Sequence, residues 1–183
     1  LSYLLNISSA YLISRVAIVT GGTRGIGYGI SNSLAKKGYN LLLTYNTNEN
    51  RAKKSKIILE NKYNVSVALV NGDLSLKETR DSIFNKYDNY YGNSAYELRA
   101  IISNAGQYIG ITSDNCENIG ASKPLLLGEG LKSDFDENKF NTLRYYQKLY
   151  GEAYIDLCER GLNRMNNKGS IIGISSPGCT QMY

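Results

Sequence analysis

The stretch Thr20-Gly21-Gly22-Thr23-Arg24-Gly25-Ile26-Gly27 decides the fold. Directly before it runs Val16-Ala17-Ile18-Val19, a short β-branched run that reads as a buried strand. Directly after it, Ile26, Ile30 and Leu34 recur every fourth residue on one helical face, and Gly38 supplies a C-terminal stop. The glycines answer three separate needs. Gly21 lets the chain turn sharply off the strand. Gly25 leaves no side chain where backbone would meet a phosphate, and Gly27 lets the helix pack closely. A helix opening at this point offers unpaired N–H groups and a partial positive charge to a pyrophosphate. A glycine-rich turn by itself also fits any tight strand-to-helix connection. Its place between a strand and a helix selects the phosphate-binding reading.

Working outward, apolar runs at 41–45, 65–70, 98–102 and 170–174 alternate with helical patterns, the signature of repeated βαβ units. Residues 48–62 form the second helical segment. Ser75-Leu76-Lys77-Glu78 has the form of a capping box, followed at helical spacing by Thr79, Ile83, Phe84 and Tyr87. Tyr150, Tyr154, Leu157, Cys158, Gly161 and Met165 are expected on one face of a long later helix. The fold class that follows is α/β, a doubly wound parallel sheet of Rossmann type, truncated after the fifth strand. Residues 1–14 read as an N-terminal extension and 15–183 as the Rossmann domain, incomplete at its C-terminus. A long insertion occupies about 107–147 and is expected to hold short helices over a site.

Composition removes several classes. The charge of +5 comes from 21 Lys and Arg against 16 Asp and Glu, scattered in pairs such as Lys36-Lys37. No basic cluster is interleaved with aromatics, so nucleic acid is not an expected partner. No apolar run approaches the ~20 residues of a membrane span. The chain has no His, which excludes a His-based metal site or triad within it. Cys116, Cys158 and Cys179 are widely spaced and odd in number, as expected of reduced thiols. The expected compartment is the cytoplasm, or an organelle if residues 1–14 are a targeting remnant.

The spacing G-x-x-x-G-x-G with flanking Thr20 and Arg24 resembles the short-chain dehydrogenase/reductase family. Three further segments match that family in order. Asp73-Leu74 resembles its acidic pair beside the adenine ring, and Asn104-Ala105-Gly106 its N-A-G motif at the end of the fourth strand. The segment from Gly169 to Ser176 resembles its fifth strand, which makes Ser176 the implied catalytic serine. The resemblance implies hydride exchange between a nicotinamide cofactor and a carbonyl or alcohol substrate, small or acyl-carried, of the 3-oxoacyl reductase kind. It also implies a homo-oligomer for the full-length protein. In the family a Tyr gives or takes the proton beside a Lys one helical turn later, the Lys lowering the Tyr pKa.

Cofactor choice follows from charge. NAD sites of this type place an acid at the end of the second strand, where a 2′-phosphate would be repelled. Here that region reads Thr44-Tyr45-Asn46-Thr47, with no acid before Glu49. Arg24, Thr23 and Thr47 are expected to bind the phosphate instead, which favours NADP(H) over NAD(H). The implied cofactor residues are Gly21, Thr23, Arg24, Gly25, Ile26 and Gly27; Tyr45, Asn46 and Thr47; Asp73 and Leu74; and Asn104, Ala105 and Gly106.

The departures from the family pattern are also specific. Tyr183 lies closer to Ser176 than the family's Tyr does and no Lys follows it, so Tyr183 is the proton donor only if that loop is unusually short. Tyr150 stands where many members carry an Asn. As given, the fragment is expected to be inactive. The competing reading is a non-catalytic NAD(P)-binding sensor or pseudoenzyme that lacks the Tyr/Lys pair.

Overall fold

The computed structural model describes residues 13–106, 144–166 and 168–175. Five strands, β1 (Ser14–Val19), β2 (Asn40–Tyr45), β3 (Val67–Asn71), β4 (Tyr96–Ser103) and β5 (Ser170–Gly173), form one sheet. Every pairing is parallel and the order is β3-β2-β1-β4-β5, with β1 in the centre. This is the doubly wound arrangement expected from the alternation of strands and helices. β1 begins at Ser14, one residue inside the stretch read as an extension. Among the described residues no helix is long and apolar enough to cross a membrane.

The central stretches of β1 and β2 are apolar because helices cover both faces of the sheet there. Val16, Ile18 and Leu42 point to one side and pack with Phe84 and Ile83 of α3 (Lys77–Tyr91) and with Leu157 of α4 (Ala153–Leu162). Ala17, Val19, Leu41 and Leu43 point to the other side, against Ala35 of α1 (Gly25–Lys36) and Leu59 of α2 (Glu49–Tyr63). Each fully buried Leu or Ile in these two layers contributes about 1.5–3 kcal/mol. A register shift in the β1–β4 pairing between Val16 and Ala17 leaves Arg99 unpaired with β1. It places Leu98 and Ile101 in the first layer and Ala100 and Ile102 in the second.

Three sequence expectations are corrected. In α1 the buried stripe is Gly27, Ser31 and Ala35, one position on from the expected one, and Ile26 is 69% exposed. Small residues let α1 approach the sheet, and Ile26 is left at the mouth of a cleft. In α3 the helix starts at Lys77 with Leu76 in the cap position and no side-chain cap. Ser75 falls one residue before the cap position, and its backbone amide donates to Asp73 Oδ1 at 2.9 Å in the turn before the helix. In the last helix Leu149, Ala153, Leu157 and Gly161 face the core, whereas Tyr150 is 48% exposed. Residues Gln147–Glu152 are π-helical, and the Ala153 amide donates to the Lys148 carbonyl five residues back. Met165 is buried as expected, while Tyr154 and Cys158 are only half-buried. A Cβ on Gly161 would meet the end of the Ile101 side chain, so α4 crosses β4 closely at this point.

Candidate cofactor-binding site

All fourteen residues expected to hold the cofactor line one cleft of about 590 Å³ at the C-terminal edge of the sheet. The glycine-rich turn forms its floor. Gly21 and Gly25 have φ of +63° and +53°, the left-handed region that favours glycine. A Cβ on Gly25 would meet nothing within 4 Å, so the open space there belongs to the cleft. A Cβ on Gly27 would collide with the Gly21 carbonyl and Asn104, so the first turn of α1 is held against the loop it follows.

Three side chains and the backbone at the end of β4 pin this turn. Thr44 Oγ1 on β2 accepts from the Gly21 amide at 3.0 Å. The Ser31 hydroxyl of α1 lies 3.0 Å from the Gly22 carbonyl oxygen and 2.9 Å from that of Gly27. Ser55 of α2 donates to the Thr23 carbonyl at 3.1 Å. At the end of β4, the amides of Asn104 and Ala105 both donate to Thr20 Oγ1 at 2.9 Å. The roles of Ser31 and Ser55 were not legible beforehand. A serine within a helix carries no signal of which distant carbonyl it will meet.

One end of the cleft is built around Asp73. Gly72 has φ of +144° and donates its amide to the Tyr45 carbonyl at 2.9 Å. Leu74 is buried, and Asp73 and Tyr145 both line the cleft here. Burial and the nearby Asp73 charge raise the Tyr145 pKa above its ordinary value, so Tyr145 stays a neutral donor. Tyr145 and Leu149 complete this wall, and neither was anticipated.

At the end of β2 the cleft is lined by Tyr45, Asn46, Thr47, Asn48, Arg24 and Arg51. Arg51 is another residue the sequence reading missed. It sits in the first turn of α2, where Asn48 Oδ1 accepts its backbone amide at 2.9 Å. Glu49 is drawn onto Lys53, 2.7 Å away along the same helix. Among the lining residues Asp73 is the single carboxylate.

The donors and the open glycine backbone fit a dinucleotide: N–H groups and left-handed glycines toward phosphates, a carboxylate at one end, arginines beside the ribose position. The implied Ser176 and Tyr183, and the stretch 107–143, lie outside the described residues. Ser175, two residues past the end of β5, is exposed.

The family model for short chain dehydrogenase matches residues 15–183. The chain belongs to the short chain dehydrogenase family. It is 28% identical over 149 residues to the uncharacterized oxidoreductase YmfI of Bacillus subtilis, covering 77% of this chain and 59% of that protein. It is 28% identical over 178 residues to L-xylulose reductase of Aspergillus niger, covering 92% of this chain and 54% of that protein. Among solved structures it is similar to YwfH, an NADPH dependent reductase involved in bacilysin biosynthesis. That match has 25% identity and a TM-score of 0.69, over 93% of this chain and 57% of the other. The short chain dehydrogenase chain described here thus spans little more than half the length of these relatives.

Proposed function

We propose that the intact protein is an oxidoreductase that uses NADP(H) to reduce a carbonyl in a small or acyl-carried substrate. The observation that carries this reading is the charge at the end of β2. Arg24 and Arg51 both line the cleft there, and no carboxylate does. A 2′-phosphate gains charge-assisted hydrogen bonds from two guanidinium groups in that position. The likeness to the NADPH dependent reductase YwfH supports the same choice.

In this reading the amides at the start of α1 hold the pyrophosphate, and the absence of a side chain on Gly25 gives it room. Asp73 accepts a hydrogen bond from the adenine amino group. Asn104 keeps the turn in place from behind, with Nδ2 3.0 Å from the Thr20 carbonyl. The bound nicotinamide supplies the hydride. Ser176, just beyond β5, orients the substrate oxygen. A 3-oxoacyl substrate is the specific expectation, resting on the family resemblance.

The test is thermal denaturation of the intact protein with NADPH and NADH in separate titrations. A ligand that binds only the folded state adds about 2.7 kcal/mol at a hundredfold excess over its dissociation constant. The expected result is a rise of the midpoint with NADPH at concentrations where NADH has little effect. An equal or larger rise with NADH overturns the cofactor choice. A folded protein that responds to neither overturns the site.

A further inference from the structure

Arg80 is 7% exposed, yet it lies outside the cleft and touches none of the residues at the glycine-rich turn. Its guanidinium is spent on two tasks. Nη1 donates to the carbonyl oxygens of Leu74 and Ser75, 3.0 Å each. Nε donates to Asp156 Oδ2 at 2.6 Å, across to α4. A buried arginine is costly unless paired, and Asp156, 76 residues away in sequence, provides the charge that lets it remain there.

The Leu74 carbonyl and the Ser75 amide belong to one peptide plane. In a trans peptide the two point in opposite directions. Arg80 draws the carbonyl inward, and that same plane aims the Ser75 amide at Asp73 Oδ1, 2.9 Å away. The amide in turn fixes the Asp73 carboxylate in the wall of the cleft. Withdrawing electron density at the carbonyl also strengthens the N–H as a donor, since hydrogen bonds in such chains polarise one another.

We infer that Arg80, neutralised by Asp156, is a positioning residue that sets the Asp73 carboxylate for recognition of the adenine amino group. This rests on the cofactor reading above. Lys cannot substitute, because one ammonium group does not reproduce the fork that spans two carbonyls and a carboxylate.

The experiment measures, by calorimetry, the dissociation constants of NADPH and of its 6-deamino analogue, in which hypoxanthine replaces adenine. The proteins are the intact wild type, R80K and D156N, each checked for a cooperative melting transition. D156N keeps the shape of the side chain and an acceptor for Nε, so it serves if R80K fails to fold. Wild type is expected to prefer NADPH by about tenfold or more, the value of a hydrogen bond to a charged acceptor. Both variants are expected to lose most of that preference. A folded variant that weakens both cofactors by the same factor, or neither, assigns Arg80 a purely structural role and overturns the inference. Equal binding of the two by wild type also overturns it while leaving the cofactor reading intact. Binding of neither by folded wild type removes the cofactor reading and the inference together.

Discussion

Asn104 grips Thr20, 84 residues away, by two hydrogen bonds that it donates from backbone and side chain. The Asn104 amide donates to Thr20 Oγ1 at 2.9 Å, and its side-chain Nδ2 donates to the Thr20 carbonyl at 3.0 Å. The end of β4 therefore fixes the start of the glycine-rich turn. Replacing Asn104 with Ala leaves a part-buried carbonyl unsatisfied and is expected to lower stability by about 1–3 kcal/mol. Urea denaturation measures that loss. A value near zero would mean that the backbone contacts alone hold the turn.

Gly25→Ala separates folding from binding. The left-handed φ of +53° makes Ala unfavourable by about 1 kcal/mol, and the new methyl projects into the cleft rather than into the protein. The expected outcome is a cooperatively folded variant that no longer shifts its melting temperature with NADPH. Retained binding would remove Gly25 from the phosphate position.

Arg24→Ala and Arg51→Ala are each expected to weaken NADPH by about tenfold, the range of a charge-assisted hydrogen bond, and to leave NADH nearly unchanged. Fluorescence titration of the two reduced cofactors distinguishes them. Equal losses for both would place the arginines on the shared pyrophosphate rather than on a 2′-phosphate.

Tyr91 predicts the alkaline limit of stability. Burial pushes its phenol up to about 12 from an ordinary value of 10.0. The unfolded chain releases this proton near pH 10 and the folded chain near pH 12. The contribution is therefore complete below pH 10 and is lost as pH rises from about 10 to about 12. Its size is about 2–3 kcal/mol. In Tyr91→Phe the hydroxyl contacts with Ser66 and the Leu41 carbonyl disappear, at a cost of about 1 kcal/mol near neutrality. The slope of stability against pH should flatten between pH 10 and 12, with a remainder from Tyr87, which burial raises in the same direction. Urea denaturation of both proteins across that range tests this, and parallel curves would count against it.

Much of the parallel sheet was legible because each strand is a short apolar run and each crossover carries its own periodicity. The cleft was legible where chemistry and spacing coincide, at Gly21 to Gly27, Asp73 and Asn104. What escaped has a common physical origin. Arg51, Tyr145 and Leu149 enter the cleft because of where their helices dock, and docking angle leaves no local mark on sequence. Of the stripe read into the last helix, Leu157, Gly161 and Met165 are buried, whereas Tyr150 is exposed and the small Ala153 faces the core instead. Side-chain size alone ranks Tyr150 above Ala153. The capping-box reading of α3 failed because the helix begins one residue later, which leaves Ser75 in the preceding turn with its amide on Asp73.

The central position of β1 has a consequence in time. Its partner on one side, β2, follows after a single helix, while its partner on the other, β4, arrives only after α2, β3 and α3 have been made. Long-range pairings of this kind close late, because the entropy of a large loop must be overcome before any contact forms. During synthesis the nucleotide cleft cannot be assembled until residues near Asn104 have emerged and docked. A ribosome-bound chain halted before β4 should carry the whole glycine-rich motif and still be blind to the cofactor.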